Sequence, residues 1–514
     1  MWATRRTAAV LMALVCAGPA LPEEPLSAID WLSKSVATPG LSPGQRILTE
    51  PPISDGAMPG KITVMSLDGP SLDALGLLPS SRTGLPYTLW GQSTSEEIAR
   101  LVRSERIDTL PSVQALLDTL LLAELAPPAD SNGSGMLFLA RVDKLLDLGS
   151  LDEANSLLEL VDNPRPEVFR RWFDIALLLG EEDIACSKMV DTPEIAPTFP
   201  ARVFCLARAG DWNAAALSLR TGETLGYIDT PMAELLSRFL DPDLYEDEPQ
   251  LPTPARPTPL VFRLMEAIGQ PIQTTTLPLA FAQADLRSNA GWKTRLEAGE
   301  RLARTGAIGE NLLLGLYSER KAAASGGVWE RVKAIQALEK ALQGGNKETV
   351  ARELQVAWPQ MTQMELEVPF AELFGPAMND LALPGTAGAL AFRIGLLSSS
   401  YEAVAQGRQP QASDEPFLIG LATGEVAGLT PPDQLGEAIR LAFEPTASFA
   451  AEVTGIIDSN RLGQAILRAI DDITEGARGD LRRVSEGLFI LRQTGLESSA
   501  RRAALELLLL ERRG

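Results

Sequence analysis

The sequence predicts an all-α fold in which helical hairpins stack into an α-solenoid. A phrase made of an apolar run, a glycine and an alanine five residues later recurs at intervals of 31 and 30 residues. Aromatic residues make up 5% of the chain against 45% hydrophobic residues, so leucine and alanine must provide most of the packing. This composition suits helix-on-helix packing, and the 37 prolines and 42 glycines mark breaks between short helices.

The N-terminus, MWATRRTAAVLMALVCAGPALPEEP, has the parts of a signal peptide. Two arginines near its start precede an apolar segment from Ala8 to Ala17, which is too short to cross a bilayer. We expect cleavage after Ala20, so that residues 1–20 form the signal peptide. No later segment is a long uninterrupted apolar run, and the sequence therefore predicts an exported, periplasmic protein without a membrane span.

Residues 21–95 are predicted to form an irregular N-terminal cap. A short β-like run from Ile62 to Leu67 is followed by phrases bounded by glycine and proline. The end units of a helical array need an atypical element to cover their cores, so packing of this segment against the array is favoured. The alternative is an exposed clamp for a partner, in which Tyr87 and Trp90 are the partner-contact residues.

The repeated phrase lies in residues 96–240 and reads LLDLGSLDEANSLL, LLLGEEDIACSKM and LARAGDWNAAALSL. Each glycine ends an apolar run, where the left-handed conformation of a helix C-cap favours glycine. The acidic residues that follow suit the start of the next helix, and the alanine is expected where two helices cross closely. The predicted repeat-turn residues are Gly149, Ala154, Gly180, Ala185, Gly210 and Ala215.

This turn resembles that of the tetratricopeptide class of repeat proteins, in which a Gly-x-x-x-x-Ala turn lies between paired helices. The match covers the turn only, within residues 134–226, and the chain lacks the set aromatic positions and closing proline of the roughly 34-residue consensus. The resemblance implies a right-handed solenoid whose concave face binds a partner.

Export of the protein would allow its two remaining cysteines to form a disulfide. Cys16 leaves with the signal peptide, so Cys186 and Cys205 remain in an oxidising compartment. They flank the break DTPEIAPTFP, and neighbouring antiparallel helices would bring them together. We predict a disulfide between them, worth about 3 kcal/mol on the chain-entropy model. Two buried free thiols are the alternative.

Residues 241–259, DPDLYEDEPQLPTPARPTP, contain six prolines and five acidic residues and are predicted to link two helical blocks. A chain of 514 residues exceeds the size of one growing core, which agrees with more than one block. The second block, residues 260–514, keeps the helical pattern with looser spacing and turns at Gly306 and Gly495.

Three phrases, SAIDWL, TGLPYTLWG and TGLESSARRAALELLL, resemble a group of uncharacterised exported bacterial proteins, some of which are labelled antifreeze glycopeptide polyprotein. The resemblance spans most of the chain and implies no catalytic residues. Ice-binding surfaces usually need a flat, regular array of threonines, and this sequence has no such ladder.

The composition excludes several kinds of chemistry. The chain has no histidine, which excludes Ser-His-Asp and Cys-His nucleophiles and zinc sites built on imidazole. Two mature cysteines are too few for thiolate metal cages or iron–sulfur clusters. A formal net charge of −21 disfavours nucleic acids and anionic lipids as partners. No catalytic residue, metal site or cofactor is predicted.

Two functions remain. The favoured one is a non-catalytic periplasmic helical-repeat protein that binds another envelope protein or polymer as a scaffold, adaptor or assembly factor. The alternative is a cell-envelope enzyme or enzyme subunit related to the superhelical part of lytic transglycosylases, in which one glutamate acts as general acid. The C-terminal block has no recognisable catalytic module, which favours the binding protein.

Overall fold

The computed structural model describes residues 71–444, 449, 451–458 and 460–510. The predicted signal peptide, residues 21–70 of the predicted cap and the β-like run within them lie outside the described residues. Within the described ranges the chain forms α-helices and short 3-10 turns without a β-strand, apart from an isolated bridge between Leu78 and Ala123. The all-α class is therefore confirmed.

Twenty-five α-helices follow one another in the described residues. Those before the predicted linker are α1 Ser80–Thr83, α2 Ser95–Ser104, α3 Pro111–Leu122, α4 Met136–Leu148, α5 Leu151–Glu159, α6 Pro166–Leu179, α7 Glu182–Asp191, α8 Phe199–Arg208, α9 Trp212–Thr224 and α10 Thr230–Leu240. Those after it are α11 Pro259–Ala267, α12 Ala282–Asp285, α13 Trp292–Arg304, α14 Glu310–Ser318, α15 Val328–Gly344, α16 Lys347–Thr362, α17 Glu367–Asp380, α18 Gly385–Leu396, α19 Tyr401–Gln406, α20 Glu415–Thr423, α21 Gln434–Phe443, α22 Ala451–Asp458, α23 Leu462–Gly476, α24 Leu481–Gln493 and α25 Glu497–Leu509. Short 3-10 turns cover Leu72–Ala74, Pro193–Ile195, Pro242–Tyr245, Thr274–Thr276 and Leu279–Phe281.

The three repeated phrases each form two helices joined by a tight turn, and the two helices of each pair pack together: α4 on α5, α6 on α7, and α8 on α9. The turn glycines have φ angles of 79°, 84° and 83° in the left-handed region: Gly149, Gly180 and Gly210. The alanines five residues later are fully buried: Ala154, Ala185 and Ala215. A side chain larger than alanine at these positions would keep the two helices of a pair apart.

Two hydrophobic cores lie in the described residues beside a small satellite cluster. The larger core runs from Leu85 to Leu510 and draws on both predicted blocks. The second runs from Phe169 to Met265 and fills the part of the chain that carries the cysteines, which we call the disulfide segment (residues 166–268). Trp172 packs against both cores and connects them.

The acidic and proline-rich residues 241–259 form a 3-10 turn and then run without an α-helix to the start of α11. The chain here is hydrogen-bonded on both sides, since an Arg238 guanidinium nitrogen on α10 donates to the Pro249 carbonyl over 2.7 Å and the Leu251 amide donates to Gln270, just beyond α11, over 3.0 Å. Beyond this stretch α11 packs on α6. Helices from before and after residues 241–259 are thus in direct contact.

The two ends of the described chain also meet. α23 packs on α2 and α3, and α25 packs on α3. The hydroxyls of Thr109 and Thr474, 365 residues apart in sequence, lie 2.6 Å from each other. In a helical array of the predicted kind each unit contacts only its neighbours. The contact between the two ends adds to the nearest-neighbour contacts of such an array, and the predicted right-handed solenoid stays a prediction.

Candidate binding groove

The disulfide segment contains a groove of about 690 Å³. Its floor is α6, and its walls are the chain from Pro193 into α8, the turn between α9 and α10, and the residues that open α11. Ligand sites in proteins have volumes of roughly 300–1,000 Å³, so the groove has the size of a binding site.

The groove floor carries a buried but poorly paired ion pair. Arg170 and Asp174 stand one helical turn apart on α6, with side chains only 8% and 9% exposed, and their nearest charged atoms are 4.0 Å apart. That separation is too long for a hydrogen bond. Neither the Arg170 Nε nor the Asp174 Oδ2 has a hydrogen-bond partner among the described residues.

Burial and neighbouring charges shift the pKa of the Asp174 carboxyl. Burial raises the pKa of the Asp174 carboxyl to about 7, while the positive charges of Arg170 and Arg171 act in the opposite direction. Burial lowers the pKa of Arg170, although a guanidinium stays protonated in proteins. Near neutral pH a substantial fraction of Asp174 is therefore uncharged, and the positive charge of Arg170 is only partly neutralised.

One wall of the groove is aromatic and rich in proline. The rings of Phe199 and Tyr227 stack with their centroids 5.1 Å apart and their planes 13° from parallel. Tyr227 is 45% exposed, so the stacked pair offers a surface to solvent. Pro193 and Pro197 line the same groove and have no N–H groups to donate. A ligand would meet mainly apolar surface on this side.

The remaining polar side chains of the groove differ in how far they are already engaged. Thr198 accepts from the Ala201 amide and Asp229 accepts from the Met232 amide, so both cap helices. Arg202 is exposed at the rim, and its side chain makes no hydrogen bond or ion pair with any residue that the structure describes. The groove thus offers two guanidinium groups, one on its floor and one at its rim.

The predicted cysteine pair restrains one wall of the groove. The sulfur atoms of Cys186 on α7 and Cys205 on α8 are 2.02 Å apart, at disulfide distance, and the Cα atoms are 5.0 Å apart. Both residues belong to the second core. The bond closes the loop that holds Pro193 and Pro197, so it restrains the proline-rich wall.

The other predicted site residues lie elsewhere. Tyr87 is 52% exposed, whereas Trp90 is 3% exposed and packs against the backbone of Gly463 on α23. An exposed clamp that uses Trp90 is therefore wrong, because the indole ring is enclosed where the chain ends meet. The repeat-turn residues shape the helix pairs, and none of them lines the groove.

Sequence reasoning missed the groove residues Arg170, Asp174, Phe199, Arg202 and Tyr227. One signal was present, because an arginine and an aspartate stand four residues apart within the largely apolar helix PEVFRRWFDIALLL. The rest could not be found in this way, since the groove joins helices that are distant in the sequence.

Buried carboxyls occur outside the groove as well. Burial raises the pKa of Glu105 to about 8 and that of Asp118 to about 7. No cluster of three or more cysteine or acidic residues in the described ranges could hold a metal ion. No described helix has the length and apolar character needed to cross a bilayer.

Comparisons of the chain with protein-family models, with curated proteins and with solved structures found no match.

Proposed function

We propose that this protein is a non-catalytic helical-repeat protein of the bacterial periplasm. It binds another envelope protein or polymer as a scaffold, adaptor or assembly factor, and it holds that partner at the groove of the disulfide segment.

The observation that carries this proposal is the distribution of exposed apolar side chains. Of the thirteen large apolar side chains that are markedly exposed in the described residues, seven lie in the disulfide segment: Ile184, Val190, Trp212, Leu217, Leu225, Tyr227 and Leu244. One of them, Tyr227, lines the groove, and exposed apolar side chains that concentrate in one part of a protein mark interaction sites. A disulfide beside this surface suits a protein that works in an oxidising compartment.

Site-specific photocrosslinking in the cell envelope tests the proposal. A photoreactive phenylalanine replaces Tyr227 in the groove, Tyr87 at the N-terminal segment, or Val356 on α16, all of which are exposed to similar degrees. We expect one discrete crosslinked species from position 227 and none from positions 87 and 356. Crosslinking at all three positions, or at position 87 alone, would contradict the proposed site.

The enzyme alternative is tested on purified cell-wall sacculi. A glutamate whose pKa is raised to about 8, such as Glu105, keeps its proton near neutral pH, as a general acid needs. Release of soluble fragments by the wild-type protein, abolished in Glu105→Gln, would favour the enzyme. We expect no release above the level of heat-denatured protein.

A further inference from the structure

We infer that the groove binds an acidic side chain of an extended partner segment, with Arg170 and Arg202 contacting the carboxylate and the Phe199–Tyr227 ring pair contacting apolar residues beside it. This inference rests on the proposed function, because it names the partner chemistry of the same groove.

The first step is the unmet hydrogen-bonding capacity of Arg170. A guanidinium has five N–H donors in a plane and matches a carboxylate with two parallel hydrogen bonds. The adjacent Arg171 achieves this pairing, since its Nε and Nη2 donate to the two carboxylate oxygens of Asp143 over 2.5 and 2.9 Å. Arg170 has no such hydrogen bond within the described chain, although its side chain is only 8% exposed.

Asp174 does not fill that role. Its carboxylate oxygen lies 4.0 Å from the Arg170 Nε, too far for a hydrogen bond, and Arg170 itself lines the groove. Burying a charge without a full set of partners is costly. A carboxylate supplied by a ligand in the groove would complete the pairing and lower that cost.

The second step is the contrast between the groove and the whole chain. The chain carries a formal net charge of −21, yet the two cations of this groove are not paired bidentately with any acid of the chain itself. Two aspartates line the groove as well, but Asp229 caps α10 and Asp174 is too far from Arg170 for a hydrogen bond. Both guanidinium groups can therefore still pair with the acid of a short partner segment. The charge of the whole surface opposes polyanions such as nucleic acids or anionic membranes.

The third step is the character of the wall. Tyr227 and Phe199 present a stacked aromatic surface, and the prolines beside them cannot donate backbone hydrogen bonds. The residues that flank the acidic side chain are therefore expected to be apolar. A groove of about 690 Å³ accepts a few residues of extended chain rather than a folded domain.

A peptide library tests the inference without a known partner. Random heptapeptides with acetylated and amidated ends, which carry no terminal carboxylates, are selected on the full-length protein. We expect enrichment of aspartate or glutamate at one position, next to apolar residues. A second library with free C-terminal carboxylates serves as the comparison, because a groove that recognises only a chain terminus would enrich that library alone and would overturn the inference.

The best acidic heptapeptide is then compared with its amide analogue, in which asparagine or glutamine replaces the acid. Loss of a charge-assisted pair should weaken binding roughly tenfold to a hundredfold, and Arg170→Met should have the same effect on the acidic peptide. Arg202→Gln should weaken it by a smaller factor and does not disturb the core, because Arg202 is exposed. The matched control is Arg220→Gln on α9, whose side chain is 77% exposed and pairs with Glu223, and it should change nothing.

Unchanged affinity in both Arg170→Met and Arg202→Gln would overturn the inference, as would equal binding of the acidic and amide peptides. These failures are distinguishable from failure of the proposed function. A discrete crosslink from position 227 together with no acidic preference would remove the inference alone, whereas the absence of any crosslink at that position would remove the proposed function as well.

Discussion

Buried charged residues in this protein fall into two groups, those with complete hydrogen bonding and those without. Arg141 belongs to the first group, since its guanidinium donates to the carbonyls of Leu75, Leu121 and Ala123 over 2.7, 2.7 and 3.0 Å. Glu105 belongs to the second, because its carboxyl makes no hydrogen bond with any described residue, while burial and the negative charge of Asp471 disfavour its ionised form. Such groups make folding sensitive to pH.

Replacement of Glu105 by glutamine is expected to stabilise the protein more at high pH than at low pH. Because burial raises the pKa of Glu105 from 4.5 to about 8, the folded state loses stability as the pH rises through this window. Glutamine does not ionise and avoids that loss. Urea unfolding at pH 5 and pH 8.5 measures the difference, with Glu246→Gln in the exposed acidic stretch as the control. An equal difference at both pH values would contradict the prediction.

Gly463→Ala is expected to reduce the free energy of unfolding by about 1–2 kcal/mol, as overpacked sites do. A Cβ at this position would come within 2.4 Å of the Trp90 ring, which belongs to a buried contact between the chain ends. Gly315→Ala is the matched control, because a Cβ on that helical glycine meets no atom within 4 Å. The control should be neutral or stabilising by up to about 1 kcal/mol, since alanine favours the helix. If chemical denaturation gave the same change in unfolding free energy for Gly463→Ala and Gly315→Ala, the Trp90 contact would not contribute to stability.

At the scale of secondary-structure elements, the helix pairs follow one local rule. A glycine with positive φ ends the first helix, and a buried alanine lets the second helix pack closely against it. In the disulfide segment the link between Cys186 on α7 and Cys205 on α8 joins two successive helix pairs, α6–α7 and α8–α9. This constraint falls on the loop that forms the groove wall.

Removal of the disulfide in a Cys186→Ala/Cys205→Ala variant should cost about 3 kcal/mol of unfolding free energy, because the bond closes a loop between residues 19 apart. We also expect weaker binding of the selected acidic heptapeptide, since the proline-rich wall loses its restraint. Chemical denaturation and peptide titration measure the two effects. Reducing agent should affect the wild-type protein and leave the double variant unchanged, and a variant as stable as the oxidised wild type would refute the prediction.

At the scale of the whole molecule, the contact between the two chain ends is the main feature. The amide and hydroxyl of Ser112, in the first turn of α3, donate to the carboxylate of Glu506 on α25 over 2.7 to 3.0 Å. Leu110 holds the N-cap position of α3 and makes no side-chain cap. The start of α3 is therefore capped by a carboxylate 394 residues away in the sequence.

Glu506→Ala is expected to destabilise the protein by roughly 1–3 kcal/mol, because the buried donors of Ser112 lose their acceptor. It should also accelerate amide hydrogen exchange in α2 and α3, far from the mutation in sequence. Exchange in α15 and α16 provides the internal reference. If exchange increased only in α24 and α25, the stability of α3 would not depend on its contact with α25. Each helix would then be stabilised only by the helices next to it in the sequence.

Much of the fold was accessible from local patterns. The glycine–alanine phrase placed three turns between packed helices, and the spacing of two cysteines around a proline-rich break indicated a disulfide. The groove was not accessible, because Arg170, Phe199 and Tyr227 lie on different elements and the periodicity of each helix carries no information about the others. The role of Trp90 was missed for the same reason, since its neighbour Gly463 is far along the chain.

The sequence by itself determined the all-α class, the turns that pair successive helices and the list of chemistries that a chain without histidine cannot perform. Only the tertiary structure decided that α2 and α3 meet α23 and α25 from the other end of the chain, and that two arginines share an aromatic groove. The physical reason is range. Helix capping and amphipathic periodicity act over a few residues and can be read from a short stretch of sequence. The contacts between the chain ends and across the groove depend on the angles and distances at which all the intervening helices pack.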